Sequence, residues 1–417
     1  MQKIALIIFI FVSIAGFLTL NFPTPIKIEG DGVFYYSWLH TVFFDRDIDI
    51  GNQLAHYASY DQGSQWFIEN SIKTPTEMTP NPYAFGSAII WSPAIAVAHG
   101  VLLVLPTPWP ADGFSLPYVL VINLLSLVFG VVAGFFVYKT LRFWFTVEQS
   151  FLAVTALIFA TPWIYYQQLE PFMSHLPSLM LVSLWWYLLV RQYQKQKTSL
   201  WLVGVVTFLM VVTRWQHLLF LIAYVPLLWS MRYEYKKAIP IVTALTIPVL
   251  MWLGLQAQIW HTLYGSYFLT PQGSRFVRPE FHGLYTLFSS NRGLLLWSPV
   301  LVFSFAGLLP LWEYSKSLAL AVIGTFVLQW VLNSSLNDLG GGDAFGGRRF
   351  IETLPFLAVP LVILFQKYWQ WQKVWVIVVV VAIIWNIILI DNYRRGVIPR
   401  SGEFEVFTTV DPLSLIR

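Results

Sequence analysis

From Gly86 to Ile390 the chain is a succession of apolar runs, near 86–105, 117–138, 149–165, 176–190, 200–213, 216–231, 238–260, 294–312, 318–336, 350–365 and 374–390. Most are about long enough to cross a bilayer as a helix. No other feature restricts the fold as strongly. With a further run at 4–20, the expectation is an all-α polytopic membrane protein of about 11–12 transmembrane helices. Only 11% of the 417 residues are charged, against roughly a quarter in a soluble domain, and 57% are hydrophobic. These proportions exclude a soluble globular chain and a disordered one. The absence of cysteine excludes disulfides, thiolate zinc sites and cysteine nucleophiles.

Met1-Gln2-Lys3 precedes the run 4–20, and Leu20-Asn21-Phe22-Pro23 follows it without a small-x-small cleavage site, so this run reads as an uncleaved anchor. The longest polar stretch, 21–82, is then the first extracytoplasmic loop. Lys139/Arg142, Arg191/Lys195/Lys197, Arg232/Lys236/Lys237, Lys316 and Lys367/Lys373 fall in every second loop, as basic residues on the cytoplasmic side do. This alternation holds if 86–105, which ends in the proline-rich Leu105-Pro106-Thr107-Pro108-Trp109-Pro110, is re-entrant or peripheral. Residues 1–390 read as one transmembrane domain, and 391–417 as a short extracytoplasmic tail.

Nine of the eleven lysines lie on the predicted inner face, whereas eleven of the fourteen arginines lie on the outer face or in the tail. Arginine binds phosphate oxygens through a planar fork that lysine lacks. The outer face therefore suits anionic ligands, although pairing with carboxylates or lipid headgroups explains any single arginine as well.

Eight of the twenty-one acidic residues fall in the first loop. Among them, Glu29-Gly30-Asp31-Gly32 precedes Phe34, Trp38, Val42 and Phe43, whose helical spacing predicts an amphipathic surface helix over 33–44. Gly30 and Gly32 let the backbone bend around Asp31. At a helix start beside lipid, Asp31 is either a cap or a base placed to take a proton from a substrate hydroxyl. Asp45-x-Asp47-x-Asp49 offers hard oxygen ligands for Mg2+ or Mn2+, or is a solvated charge run. Arg214, between two apolar runs, is a boundary arginine that either binds a ligand or snorkels. Gly340–Arg349 carries five glycines with Asp343, Arg348 and Arg349; it cradles a phosphate or only turns. Glu170 and His175 supply a further wall, His175 as a polar lining residue. A serine nucleophile elbow, a phosphate-binding Gly-Lys-Ser/Thr loop and a dinucleotide fingerprint are missing, so nothing points to a cytosolic nucleotide donor or to nucleic acid.

A first span, an acidic outer loop with Gly30, Asp31 and Tyr35 in a Gly-Asp-x-x-x-Tyr pattern, juxtamembrane helices and about ten further spans resemble the GT-C superfamily of polytopic glycosyltransferases. The layout is similar to the bacterial family-39-like enzymes, which include protein O-mannosyltransferases and lipid A aminoarabinose transferases. Thr213-Arg214-Trp215 stands where those enzymes have a donor-contacting lysine element, and Gly346-Gly347-Arg348-Arg349-Phe350 with Leu354-Pro355 looks like their Arg-Tyr-x5-Pro segment.

The resemblance implies an inverting transfer of a sugar from a polyprenyl-phosphate carrier to a glycan, lipid or protein hydroxyl at the outer face of a bacterial inner membrane. Asp31 is then the general base, Arg214, Arg348 and Arg349 bind the donor phosphate, and Glu29, Tyr35, Glu170, His175 and Asp343 line the cavity. Asp45 and Asp47 are the candidate ligands of a divalent cation. The chain departs from those relatives at Thr79-Pro80-Asn81-Pro82, where an acidic-basic pair is usual. A transporter or flippase of lipid-linked or anionic substrates, and an O-antigen polymerase or ligase, are the competing classes. A transporter would place charge at mid-membrane and show an internal repeat, neither of which the sequence displays; polymerases and ligases put their arginines in a large late loop.

Overall fold

The computed structural model describes residues 27–70, 74–231, 235–269, 271, 273, 276–277 and 280–413; the expected first span, 4–20, lies outside them. The described chain is all-α, 71% helical and without a strand. Helix α1 (Asp31–His40) runs into a π-helical turn (Thr41–Asp45) and is followed by α2 (Gly51–Tyr57), α3 (Gln62–Asn70), α4 (Gly86–Val104) and α5 (Leu116–Leu141). Next come α6 (Val147–Phe159), α7 (Trp163–Gln168), α8 (His175–Tyr193), α9 (Leu200–Thr213), a 3-10 helix (Trp215–Ala223), α10 (Tyr224–Ser230) and α11 (Tyr235–Tyr264). The last third holds α12 (Gly283–Phe288), α13 (Leu294–Trp297), α14 (Leu301–Ala306), α15 (Leu308–Tyr314) and α16 (Lys316–Ser334). A 3-10 turn (Arg348–Thr353) opens α17 (Leu354–Lys367), and after a second 3-10 turn (Trp369–Trp371) come α18 (Gln372–Arg394) and the short α19 (Val406–Thr409).

Six described helical stretches are long and apolar enough to cross a membrane: Gly86–Val104, Leu116–Leu141, Ala238–Tyr264, Lys316–Ser334, Arg348–Lys367 and Trp369–Arg394. The chain is a multi-pass membrane protein. Most apolar runs become helices nearly residue for residue, and the helices at Gly86–Val104, Tyr235–Tyr264 and Leu354–Lys367 continue through internal prolines. The run 149–165 breaks between α6 and α7 at Pro162, and 294–312 breaks between α13 and α14 at Pro299, where proline cannot continue the preceding ladder, and between α14 and α15 at Gly307, where the backbone packs against the Pro360 carbonyl. Helix starts carry ordinary caps: Thr146 and Gln149 form a reciprocal capping box on α6, and Ser199 and Ser315 accept from Leu202 N and Leu318 N.

The loops sort to two ends of the bundle. Trp144, Tyr193, Lys195, Ser230, Met231 and Ser315 line one shallow depression, so loops carrying the predicted inner-face lysines meet at one end. Loops 79–85, 169–174 and 338–349 meet α1 and the end of α9 at the other, through bonds such as Asn81 Nδ2 to the Phe34 carbonyl (2.7 Å) and Trp38 Nε1 to the Tyr83 carbonyl (2.8 Å).

Two sequence expectations are corrected. Residues 86–104 form one unbroken helix, long and apolar enough to cross a membrane, which removes the re-entrant half of the re-entrant-or-peripheral expectation. The helix stays beside α1 at both ends: Phe85 packs on Trp38, and His99 packs on Phe44 and bonds the Tyr118 hydroxyl (2.7 Å). Nor is α1 amphipathic; every residue from Gly32 to His40 is buried. Its apolar spacing meets protein on all sides, and within the predicted 33–44 segment only Val42 and Phe43 are exposed.

Candidate active site

Asp31 is the first residue of α1. Gly30 before it sits at φ 56°, a conformation glycine adopts without strain, and its N–H donates to Asp61 Oδ1 (2.9 Å). Gly32 serves close packing instead of a bend: a Cβ there would lie 2.9 Å from that of Phe172. The Asp31 carboxylate makes no cap. Its Oδ2 pairs with Arg348 Nη2 at 2.8 Å, and its Oδ1 accepts from the Tyr83 hydroxyl at 2.7 Å. Burial works against the charged form, but Arg348 and the Tyr83 bond outweigh it and hold Asp31 below the usual carboxylate range. The carboxylate therefore lends stability above its ordinary pKa, a contribution lost as pH falls through the lowered value.

Arg214 ends α9 and turns inward. Its Nη1 donates to Ser174 Oγ (3.1 Å), and its Nε faces Glu352 Oε1 at 3.5 Å. Gln216, turned with its amide oxygen toward the guanidinium, accepts from Nε and Nη2 at 2.8 and 2.6 Å. Glu352 is 2% exposed and also accepts from His175 Nδ1 at 2.9 Å. Three cationic groups are thus spoken for by three acids, since Arg349 Nη2 pairs with Asp338 Oδ2 at 2.9 Å.

Tyr35 is buried within electrostatic reach of Arg214, Asp31 and Arg348. Glu170, in the loop before α8, accepts from the Tyr165 hydroxyl at 3.4 Å and feels Arg348, Asp31, Glu29 and Arg400. Burial pushes its carboxyl up to about 7 despite Arg348. A raised carboxyl stabilises the fold below its ordinary pKa, and that contribution declines as pH rises through the raised value. Wild-type protein is accordingly expected to lose thermal stability between about pH 5 and 7 by more than Glu170→Gln does; equal pH slopes in a thermal-shift series would contradict this placement.

Asp31, Tyr35, Glu170, His175, Arg214 and Arg348 come together, with Arg349 at the rim. Glu29 is exposed beside them. Asp343 does not line the site through its side chain, which is exposed; its carbonyl accepts from the Tyr393 hydroxyl. Asp45 and Asp47 are also corrected, because they lie beyond the far end of α1. Asp45 accepts from Asn52 Nδ2 (3.0 Å) and Gln53 Nε2 and meets His40 Nδ1 (3.3 Å). Asp47 accepts from Thr41 Oγ1 and from Asp49 N (3.2 Å). Their oxygens tie the loop together, and no group of three or more His, Asp or Glu suited to a metal occurs among the described residues. Sequence reasoning missed Tyr83, one of twenty tyrosines, and Glu352. The latter had a signal: a lone acid at the start of an apolar run.

No protein-family model matches the chain, and no curated protein matches it by sequence. Solved structures do match it in fold. The Archaeoglobus fulgidus oligosaccharyltransferase in complex with zinc and sulfate aligns over 96% of this chain and 54% of its own, with a TM-score of 0.54 and 13% identity. Its apo form aligns over 99% and 54%, with a TM-score of 0.53 and 13% identity. The archaeal oligosaccharyltransferase AglB from the same organism, in complex with an inhibitory peptide and a dolichol-phosphate, aligns over 96% and 56%, with a TM-score of 0.53 and 12% identity. The chain spans about half the length of these structures and shares the fold of that half.

Proposed function

We propose that this protein is a membrane glycosyltransferase that moves a sugar from a polyprenyl-phosphate carrier to a hydroxyl acceptor at the extracytoplasmic face. The observation that carries this reading is the Asp31–Arg348 pair, a carboxylate and a guanidinium facing one site with Arg214 nearby. Fold likeness to an oligosaccharyltransferase in complex with a dolichol-phosphate supports a lipid-linked donor. The finer family-39-like assignment rests on the short motifs at Asp31, Arg214 and Arg348.

In the resting site Arg348 quenches Asp31. A donor phosphate competes for the guanidinium, and as Arg348 turns to it, Asp31 regains a free lone pair and basicity. The acceptor oxygen then attacks the anomeric carbon from the face opposite the phosphate, and its proton passes to Asp31. The bond from that carbon to the phosphate oxygen breaks with its electron pair on the carrier, whose growing charge Arg348 and Arg214 stabilise. The sugar inverts. Among the described residues the oxygen ligands do not assemble a divalent-cation site, and no step here is routed through a metal.

The test is direct. Purified protein given a labelled polyprenyl-phosphate sugar and a hydroxyl acceptor should release the free carrier phosphate and form a glycoside. Arg348→Gln should weaken donor binding by about tenfold or more, while Arg142→Gln, at the opposite end of the bundle, should leave it unchanged. Equal binding by both variants would overturn the phosphate assignment.

A further inference from the structure

We propose that Tyr83 is a positioning residue for the base: its hydroxyl fixes Asp31 Oδ1, so that Oδ2 receives the acceptor's proton once Arg348 has turned to the donor. The inference rests on the transfer reading above and adds to it a residue that acts through Asp31.

The Asp31 carboxylate has two holders among the described residues, Arg348 on Oδ2 at 2.8 Å and the Tyr83 hydroxyl on Oδ1 at 2.7 Å. Tyr83 is itself pinned from several sides. Its N–H donates to Asn81 Oδ1 (3.0 Å), and its carbonyl accepts from Trp38 Nε1 (2.8 Å). Its ring stacks on Phe34, with 5.0 Å between ring centres, and meets Tyr35 edge-on at 5.1 Å. Asn81 is buried and donates to the Phe34 carbonyl at 2.7 Å. Phe34, Tyr35 and Trp38 lie on the helix that Asp31 begins, so hydroxyl and carboxylate are held in one frame that does not depend on Arg348. The segment Thr79-Pro80-Asn81-Pro82, where the chain departs from the enzymes it resembles, thus aims a donor at Asp31 through Asn81.

The two holders differ in kind. Arg348 is a cation, and a phosphate competes with Asp31 for it. Tyr83 is a neutral donor; burial and the neighbouring Asp31 keep its hydroxyl protonated well above the ordinary tyrosine range, so it donates at any working pH. It has one proton to give, which engages one oxygen and leaves the other. Once Arg348 has left, a buried carboxylate without a partner would turn freely and favour its protonated form. The Tyr83 bond prevents the first and opposes the second. The acceptor's proton passes to Oδ2, the acceptor oxygen attacks the anomeric carbon with the electron pair it keeps, and neutral Asp31 still accepts from Tyr83 at Oδ1. His175, Tyr35, Glu170 and Arg349 also act on Asp31 across the site, but none of them bonds it among the described residues.

The experiment titrates Asp31 itself, by infrared difference spectroscopy of the full chain in nanodiscs against pH, with and without polyprenyl phosphate. The Asp31 band is the carboxyl band that Asp31→Asn removes. In wild type, polyprenyl phosphate should raise the Asp31 midpoint as Arg348 leaves it. Tyr83→Phe keeps the ring contacts and should raise the carrier-bound midpoint by a further one to two pH units, about what a hydrogen bond to a charged group contributes, with carrier affinity held within about threefold. Tyr118→Phe, which removes a hydroxyl beyond the far end of α1, should leave the midpoint where it is. An unmoved midpoint in Tyr83→Phe would overturn the positioning role, as would an equal shift in Tyr118→Phe. A loss of carrier affinity of tenfold or more in Tyr83→Phe would assign the hydroxyl to donor binding and overturn it too. A wild-type midpoint that polyprenyl phosphate does not move would instead overturn the exchange of Arg348 between Asp31 and the carrier, on which the proposal rests.

Discussion

Asp31→Asn is expected to lower sugar transfer by about 100- to 10,000-fold, the range a positioned general base contributes, while the protein still inserts and folds. Asparagine keeps the shape and an oxygen that accepts from Tyr83. It loses the ion pair with Arg348, whose guanidinium is only 16% exposed, so the thermal midpoint should fall, though by less than in Glu352→Ala because the amide still accepts and the Asp31 side is partly solvated. Arg348, released from Asp31, remains available to the carrier phosphate, and donor affinity should hold or rise. A transfer assay at saturating donor, run beside a donor-binding titration and a thermal midpoint, separates these effects. Full turnover would remove Asp31 from the mechanism, and loss of binding together with turnover would make it a structural residue.

Glu352→Ala should have the largest effect on stability. Glu352 is buried at the foot of the site and accepts from His175 at 2.9 Å while facing Arg214 at 3.5 Å. Its removal strands a mostly buried guanidinium, and breaking such a pair from one side costs about 3–5 kcal/mol. The thermal midpoint should fall clearly, and the donor KM should rise because Arg214 loses the contact that aims it. Glu352→Gln, which keeps an acceptor for His175, should be milder, and Arg214→Ala combined with Glu352→Ala should cost less than the sum of the two. A Glu352→Ala protein as stable as wild type would show that the network contributes nothing to the fold.

Helix positions were legible because the bilayer demands long apolar segments, and the ends fell where Thr146, Ser199 and Ser315 cap or proline interrupts. The site was partly legible for a related reason. In a chain this poor in charge, Asp31, Arg214 and Arg348 stand out, and folding brings them together. What stayed hidden depends on partners. Apolar spacing over 33–44 is the same whether a helix lies on lipid or inside protein, so α1 was misjudged. Asp45 and Asp47 look like ligands until the amides and hydroxyls that consume their oxygens are seen. Glu170 has an ordinary sequence context, and only its burial makes it a group that titrates near neutrality.

Helix α9 has 14 residues and rises about 21 Å, against about 30 Å of hydrocarbon in a typical bilayer. It starts after Lys195 and Lys197 and ends at Arg214. If that basic end lies at one headgroup layer, a rise of about 21 Å leaves the arginine several ångströms short of the other. Under the proposed function, a carrier phosphate at headgroup level would then have to sink, or the bilayer to thin, before the two could touch. On that reading membrane thickness is a working dimension of this protein, and lipids of different chain length would change the depth at which Arg214 meets a carrier phosphate.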